Sequence, residues 1–187
     1  MDLLEDYIKS GRIKLNTQKY HEAFTVHDPC NYVRKSVMAY GDSPNNGEKT
    51  RWIAQQCIDP SHYREMIDDP LNNLCCGAGG GAWAMPYEKE RMDYSKVKAD
   101  QIRNTGAELV IAPCHNCRDQ ILKGLGPEHK KGTPGFDMGN YSETLYLWEL
   151  VANCLDYEPW SEEEQAKAHA LRDAQFERDG VELEEEE

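Results

Sequence analysis

The spacing of apolar residues along the chain predicts short buried strands that alternate with helices. Residues 23–27 are rich in β-forming side chains, and residues 109–112 form a continuous apolar run, typical of a strand covered on both faces of a parallel sheet. Helical composition or spacing marks residues 3–9, 31–40, 48–58, 88–105, 142–155 and 161–178, and residues 63–67 are predicted as a further short strand. This alternation predicts an α/β fold with a small parallel sheet flanked by helices.

Turn-forming residues separate these elements, and the loops they mark carry most of the cysteines. Pro29 ends the first strand, Gly106 ends the helix before the second, and residues 42–47 and 123–140 are predicted loops. Five cysteines lie in predicted loops: Cys30, Cys75, Cys76, Cys114 and Cys117. Because open α/β sheets bind ligands beyond the carboxyl ends of their strands, these cysteine-bearing loops at the strand ends are the candidate site.

The charge of the chain argues against some classes of partner, and its N-terminal sequence and hydropathy indicate its location. The 187 residues carry a net charge of -13, and many of the acidic residues lie in the last 30 positions. Nucleic-acid binding depends on Lys and Arg at phosphates, so this balance argues against nucleic acid as a partner. The acidic start lacks the pattern of a secretory signal, and no run of 18 apolar residues occurs. We therefore expect a cytoplasmic protein, free or peripheral on a membrane complex.

The cysteines predict a metal or redox site rather than a disulfide framework. Seven cysteines are an odd number, and in a reducing compartment clustered cysteines bind metal or carry out redox chemistry. Cys114 and Cys117 form a CxxC pair, which alone fits a redox dithiol, half a metal site or coincidence. Cys75 and Cys76 precede a glycine-rich stretch at residues 77–81, and Cys30 follows a strand. Thiolates suit iron–sulfur clusters, zinc or Cu(I), and five exceed the four of a structural zinc site, which favours a cluster.

The glycines of residues 77–81 have a physical role in such a site. Without a Cβ, their backbone approaches a bound group closely, and their N–H groups point at sulfur. Three segments together resemble the cysteine-rich CCG domain: His27-Asp28-Pro29-Cys30, Cys75-Cys76-Gly77-Ala78-Gly79-Gly80-Gly81, and Gly106-Ala107 through Pro113-Cys114-His115-Asn116-Cys117. That family includes subunits B and D of heterodisulfide reductase, subunit K of the sulfite-reduction membrane complex, and subunits of anaerobic glycerol-3-phosphate, lactate and succinate oxidoreductases.

The resemblance implies a cofactor, a role and a division of the chain. It makes the five cysteines the ligands of a [4Fe-4S] cluster, cubane or non-cubane, with zinc as the alternative. It implies a subunit or fragment of an oxidoreductase, which exchanges electrons with other subunits of a redox complex and with a disulfide-carrying protein, a small thiol or a quinone-linked partner. Residues 1–21 are then expected to be a helix that ends a missing half-domain, residues 22–157 the CCG domain, and residues 158–187 an acidic helix and disordered tail.

Two other functions compete with this interpretation. A zinc-stabilised structural or docking module needs no redox chemistry. A thioredoxin-like dithiol enzyme needs only Cys114 and Cys117, and leaves three clustered cysteines unexplained. The glycine-rich stretch is no nicotinamide or flavin motif, because it follows a Cys-Cys pair and lacks the acidic residue expected about 20 positions later.

Several residues near the motifs have both a structural and a functional interpretation. His27 and His115 flank predicted ligands and serve either as structural imidazoles or as groups that hydrogen-bond sulfur or accept protons, and neither belongs to the predicted ligand set. Trp83 is expected to cover the site or to fill core. Two further groups are assigned structural roles: Cys57 and Cys154 as core residues, and Arg34 and Lys35 as solvated helix residues, the latter pair with anion binding as the alternative.

Overall fold

Three short strands form the centre of the fold. The computed structural model describes residues 1–40, 46–67, 72–126 and 135–180. Within them, β1 (Phe24–Val26), β2 (Leu109–Ile111) and β3 (Glu143–Leu145) form a parallel sheet in the order β1-β2-β3. The register pairs Phe24 with Leu109, and Leu109 with Glu143. The three carboxyl ends therefore lie along one edge of the sheet, which confirms the predicted α/β class.

Helices account for most of the described residues. The α-helices are α1 (Asp2–Lys9), α2 (Cys30–Tyr40), α3 (Asn46–Cys57), α4 (Glu88–Thr105), α5 (His115–Asp119), α6 (Leu147–Cys154) and α7 (Glu162–Asp179). A π-helical segment (Gln120–Leu125) continues α5, and single 3₁₀ turns lie at Pro60–His62 and Ala82–Ala84. Across the described ranges, no helix is both long enough and apolar enough to cross a bilayer.

The alternation of side chains along the strands gives the sheet two buried faces. Phe24, Val26, Leu109, Ile111 and Leu145 pack on one face with apolar residues of α3 and α6. Val110 packs on the other face with residues of α4 and of the π-helical segment. All three residues of β2 are buried, because it is the central strand and is covered on both sides. The apolar run at residues 109–112 predicted this burial.

Two predicted elements differ from the structure. Residues 63–67 form no strand: Tyr63 makes one parallel bridge with Phe24, and Glu65 then binds Arg51. Residues 142–155 were predicted as one helix, but residues 143–145 form β3 and the helix starts at Leu147. Pairing with β2 decides this, because the Glu108 carbonyl accepts the Ser142 N–H at 2.8 Å at the start of the strand.

The loop predictions are partly tested. The predicted loop at residues 123–140 begins inside the π-helical segment, which continues to Leu125. Residues 127–134 of that loop, and most of the predicted loop at residues 42–47, lie outside the described residues.

The chain divides into two units, Met1–Asp156 and Tyr157–Glu187. In the second unit, the predicted last helix is present as α7, and Ser161 caps it as the sequence indicated. The Ser161 hydroxyl accepts the Glu164 N–H at 3.3 Å, and the Glu164 carboxylate accepts the Ser161 N–H at 2.9 Å. The helix ends at Gly180, which has a φ of +67°. The predicted disordered tail, residues 181–187, lies outside the described residues.

Candidate metal centre

The segment that follows β1 brings Cys30 to the sheet edge. The His27 N–H donates to the Ile111 carbonyl at 2.9 Å, so the ladder between β1 and β2 extends one residue past the strand. Cys30 is the first residue of α2 and not a loop residue, because the Pro29 carbonyl accepts the Val33 N–H at 2.9 Å and starts the helix. Proline loses nothing here, since its missing N–H has no helical partner at this position.

The loop with Cys75 and Cys76 depends on glycine. Gly77 has a φ of +91°, and a Cβ there would lie 1.9 Å from the Ser95 Oγ on α4. The Gly77 N–H donates to the Cys75 Sγ at 3.2 Å. Gly80 and Gly81 also have positive φ, at +63° and +85°. The glycine-rich sequence therefore produces a tight loop, with one backbone donor on a predicted ligand.

The segment that follows β2 places the CxxC pair. The Ala112 N–H donates to the Leu145 carbonyl at 2.9 Å, and Cys114 then caps α5 with an extended backbone. Cys117 lies within the first turn of α5 and not in the predicted loop, because the Arg118 N–H bonds to the Cys114 carbonyl at 2.9 Å and starts the helix. The CxxC spacing thus turns both sulfurs toward the same side of the first helical turn.

All five predicted cysteines line one cavity of about 50 Å³ at the carboxyl edge of the sheet, together with His27. The Sγ atoms of Cys76 and Cys117 lie 3.4 Å apart, and a ring nitrogen of His27 lies within 4.8 Å of both. Cys76 and Cys117 are buried, whereas the other three thiols are partly exposed. The structure brings the predicted set together, and its role as ligands stays a prediction.

The sulfur atoms are close enough to change one another's acidity. Hydrogen bonds from Cys117 and Cys75, assisted by His27, hold the pKa of Cys76 well below its usual range despite burial. Donation to Cys114 and Cys76, together with burial, raises the pKa of Cys117. A hydrogen bond from Cys117 and the N–H groups of Cys117 and Asn116 lower the pKa of Cys114 to about 6. The site therefore stabilises the thiolates of Cys76 and Cys114, the form that binds metal, while donation to Cys76 and burial raise the pKa of Cys75.

The donor set fits an iron–sulfur group. Five sulfur donors at one cavity are soft ligands, and they outnumber the four that a structural zinc ion takes. Gly79 and Gly80 line the cavity, and a Cβ added to either would have no protein atom within 4 Å. The protein therefore leaves open space beside both glycines. Both ring nitrogens of buried His27 lack a hydrogen-bond partner in the described residues.

A buried ion-pair network, which the sequence did not reveal, supports the Cys30 segment. The Arg51 guanidinium binds both carboxylate oxygens of Asp28, at 2.9 and 2.8 Å, and also the Glu65 carboxylate at 2.7 Å. The Asn73 amide donates to the Asp28 carbonyl. Because Asp28 lies two residues before Cys30, and Asn73 two before Cys75, this network ties the two cysteine segments together.

A second network supports the glycine loop from α4. The Ser95 hydroxyl donates to the Arg91 carbonyl at 2.6 Å and accepts from the Gln120 amide at 3.1 Å, while the Arg91 guanidinium binds the Gln120 side-chain oxygen. The same guanidinium lies 4.5 Å from the centre of the Trp83 ring. Trp83 packs beside the small apolar group that contains Cys76 and Cys117, in agreement with its predicted place over the site or in the core.

The other residues singled out in the sequence do not line the cavity. Cys57 and Cys154 are buried in the core on the α3 and α6 side of the sheet, as predicted. Arg34 and Lys35 are exposed on α2. His115 is exposed, and its ring stacks on Tyr146, with the ring centres 6.0 Å apart.

Comparison with known proteins agrees with this geometry. Residues 24–122 match the cysteine-rich domain family CCG. A curated relative, an uncharacterized iron–sulfur protein of Methanococcus maripaludis, is 30% identical over 141 residues. That alignment covers 72% of this chain and 25% of the relative, so the chain spans about a quarter of its length. The family match covers more than half of the chain and contains all five cysteines of the cavity, and the chain therefore belongs to the cysteine-rich CCG domain family.

Proposed function

We propose that this chain is an iron–sulfur protein that carries electrons in a heterodisulfide reductase-like complex. The observation that carries the proposal is the convergence of five thiols on one cavity at the carboxyl edge of the sheet. The relative from Methanococcus maripaludis is named as an iron–sulfur protein, which supports the cofactor. We assign a [4Fe-4S] cluster, of cubane or non-cubane type, to the five cysteines.

The residues of the site have separable tasks in this proposal. Cys76 and Cys117 hold the buried side of the bound group, and Cys30, Cys75 and Cys114 hold the side that solvent reaches. The cluster supplies one-electron chemistry when bound. The Gly77 N–H, already bonded to the Cys75 sulfur, opposes the build-up of negative charge there and favours the reduced state. Because three of the thiols are partly exposed, a partner protein can contact the site directly.

The proposed partner is another subunit of a redox complex in the cytoplasm, free or at a membrane surface. Exposed apolar side chains beside the glycine loop support a partner: Met85, Tyr87 and Tyr94 line a cavity of about 320 Å³ together with Gly77. Apolar patches of this kind mark interaction surfaces. The final electron acceptor in the proposal is a disulfide or a quinone-linked carrier.

Electron transfer is tested with protein purified without oxygen and loaded with iron and sulfide. Dithionite should bleach the visible absorption of the protein, and an added disulfide should restore it only slowly without the partner subunit. Rapid turnover of the disulfide by the isolated chain would contradict the need for a partner. An iron-loaded protein that dithionite does not reduce would contradict the electron-transfer role itself.

A zinc-stabilised docking module is the second candidate, and one observation favours it. Cys76, Cys117 and His27 place one ligand atom each within 4.8 Å of one another, a group suited to a single ion. A zinc–thiolate protein is colourless and inert to dithionite, whereas an iron–sulfur protein absorbs broadly in the visible range. The same reduction experiment therefore separates the two functions.

A further inference from the structure

His27 is a buried histidine that lines the cavity and faces the sulfurs of Cys76 and Cys117. It is 1% exposed, and it follows β1 directly. Neither Nδ1 nor Nε2 has a hydrogen-bond partner in the described residues. A ring nitrogen lies within 4.8 Å of the sulfurs of Cys76 and Cys117. At least one of the two nitrogens carries a hydrogen, so the ring has a buried donor to satisfy.

Two acceptors next to His27 along the chain or across the sheet are already engaged. The Asp28 carboxylate is bound by Arg51, and the Ile111 carbonyl accepts the backbone N–H of His27. Folded proteins rarely leave a buried N–H without an acceptor, because its desolvation is not repaid. The sulfurs of Cys76 and Cys117 are acceptors within 4.8 Å of a ring nitrogen, and the imidazole lines the cavity that they border, so it is placed to donate to sulfur at this site.

We propose that His27 donates an N–H hydrogen bond to a sulfur of the iron–sulfur group and thereby raises its reduction potential. Five thiolates and the sulfides give that group a negative charge, which grows on reduction. A donor at sulfur therefore stabilises the reduced state more than the oxidised state. His27 is a positioning residue in this account and not an iron ligand, because the five cysteines supply the ligands. The inference rests on the proposed function to the extent that a cluster occupies the cavity.

The reduction potential of His27 variants tests the inference. His27→Leu removes the donor and keeps an apolar side chain of similar size. We expect the ratio of reduced to oxidised protein at the wild-type midpoint to fall about tenfold, a shift of about 59 mV for one electron. His27→Asn and His27→Gln place an amide donor near the positions of Nδ1 and Nε2, and at least one of them should restore most of the potential.

His115→Gln is the matched control, because His115 also flanks a predicted ligand but is exposed, with its ring bound to Tyr146. Its potential should equal that of the wild type. Iron-loaded His27→Leu protein with an unchanged potential would overturn the inference, and so would an equal shift in the control.

A measurement on the wild-type protein keeps the inference testable if His27→Leu fails to fold. Histidine is labelled with ¹⁵N, and the dithionite-reduced protein is studied by pulsed EPR. A weak nitrogen coupling, with a proton coupling lost in D₂O, supports a hydrogen bond. A strong coupling would make histidine a direct ligand, and no coupling would place it out of contact; either result overturns the inference while leaving the cluster in place. Protein that holds no iron would instead overturn the proposed function, and this inference with it.

Discussion

Replacing Gly77 by alanine tests whether the cysteine loop is fitted to the helix beneath it. The new Cβ would lie 1.9 Å from the Ser95 Oγ and 3.3 Å from the Arg91 carbonyl. Ser95 is fully buried, and its hydroxyl is held by Arg91 and Gln120. Neither the hydroxyl nor the loop can move without breaking these contacts, so we expect both stability and iron binding to fall.

The magnitude follows from two separable costs. An L-residue at a φ of +91° costs about 1–2 kcal/mol relative to glycine. Displacing the Ser95 hydroxyl leaves the buried Gln120 amide with only a weak bond to the Met92 sulfur at 3.9 Å, which costs about 1–3 kcal/mol. We therefore expect Gly77→Ala to lower the free energy of unfolding by about 2–5 kcal/mol.

Urea unfolding of anaerobically purified protein measures this loss, with bound iron determined on the same samples. Gly11→Ala is the matched control, because Gly11 has a φ of +70° but its added Cβ would meet nothing within 4 Å. In Gly11→Ala, the free energy of unfolding should fall only by the cost of the positive φ, and the protein should retain its iron. In a Ser95→Ala background, the added cost of Gly77→Ala should fall to about 1–2 kcal/mol. The reasoning fails if Gly77→Ala is no more destabilising than Gly11→Ala.

Three further predictions follow from the site. Cys75→Ser should lose most bound iron, whereas Cys57→Ser should retain it, because Cys57 lies in the core; iron analysis with equal losses would break the ligand assignment. Arg51→Met should destabilise the protein by about 3–5 kcal/mol in urea unfolding, since it leaves the Asp28 carboxylate buried and unpaired; a near-neutral result would contradict this. In metal-free reduced protein, the rate of Cys114 alkylation should increase with pH and reach half its maximum at a pH of about 6, because the lowered pKa makes Cys114 a thiolate above that pH. A half-maximum near the pKa of a free thiol would refute this.

The sequence was most informative where structure depends on local motifs. The apolar run of β2, the glycine that ends α4 and the Ser161 cap are local features, and each element lies where it was predicted. The α/β class and the CCG family are confirmed. Strand β3 was missed, because Glu143-Thr144-Leu145 continues into a helical pattern, and only pairing with β2 makes it a strand.

Long-range contacts explain what the sequence did not reveal at the site. Arg51 lies on α3, whereas Asp28 lies between β1 and α2. Their spacing along the sequence therefore does not predict that they form an ion pair. His27 was placed beside the site, with a structural role at least as strong an interpretation as a functional one. The burial of its ring nitrogens beside two thiols, on which our proposal rests, depends on the packing around β1 and could not be inferred from the sequence.

The central claim is that the five thiols hold an iron–sulfur cluster. Quantitation of iron, sulfide and zinc in anaerobically purified protein, with EPR of the dithionite-reduced sample, tests it most directly. We expect about four irons and four sulfides per chain, with a reduced-state EPR signal that is lost in Cys76→Ser protein. One zinc ion per chain, with no sulfide and no signal after iron-replete expression, would contradict the account.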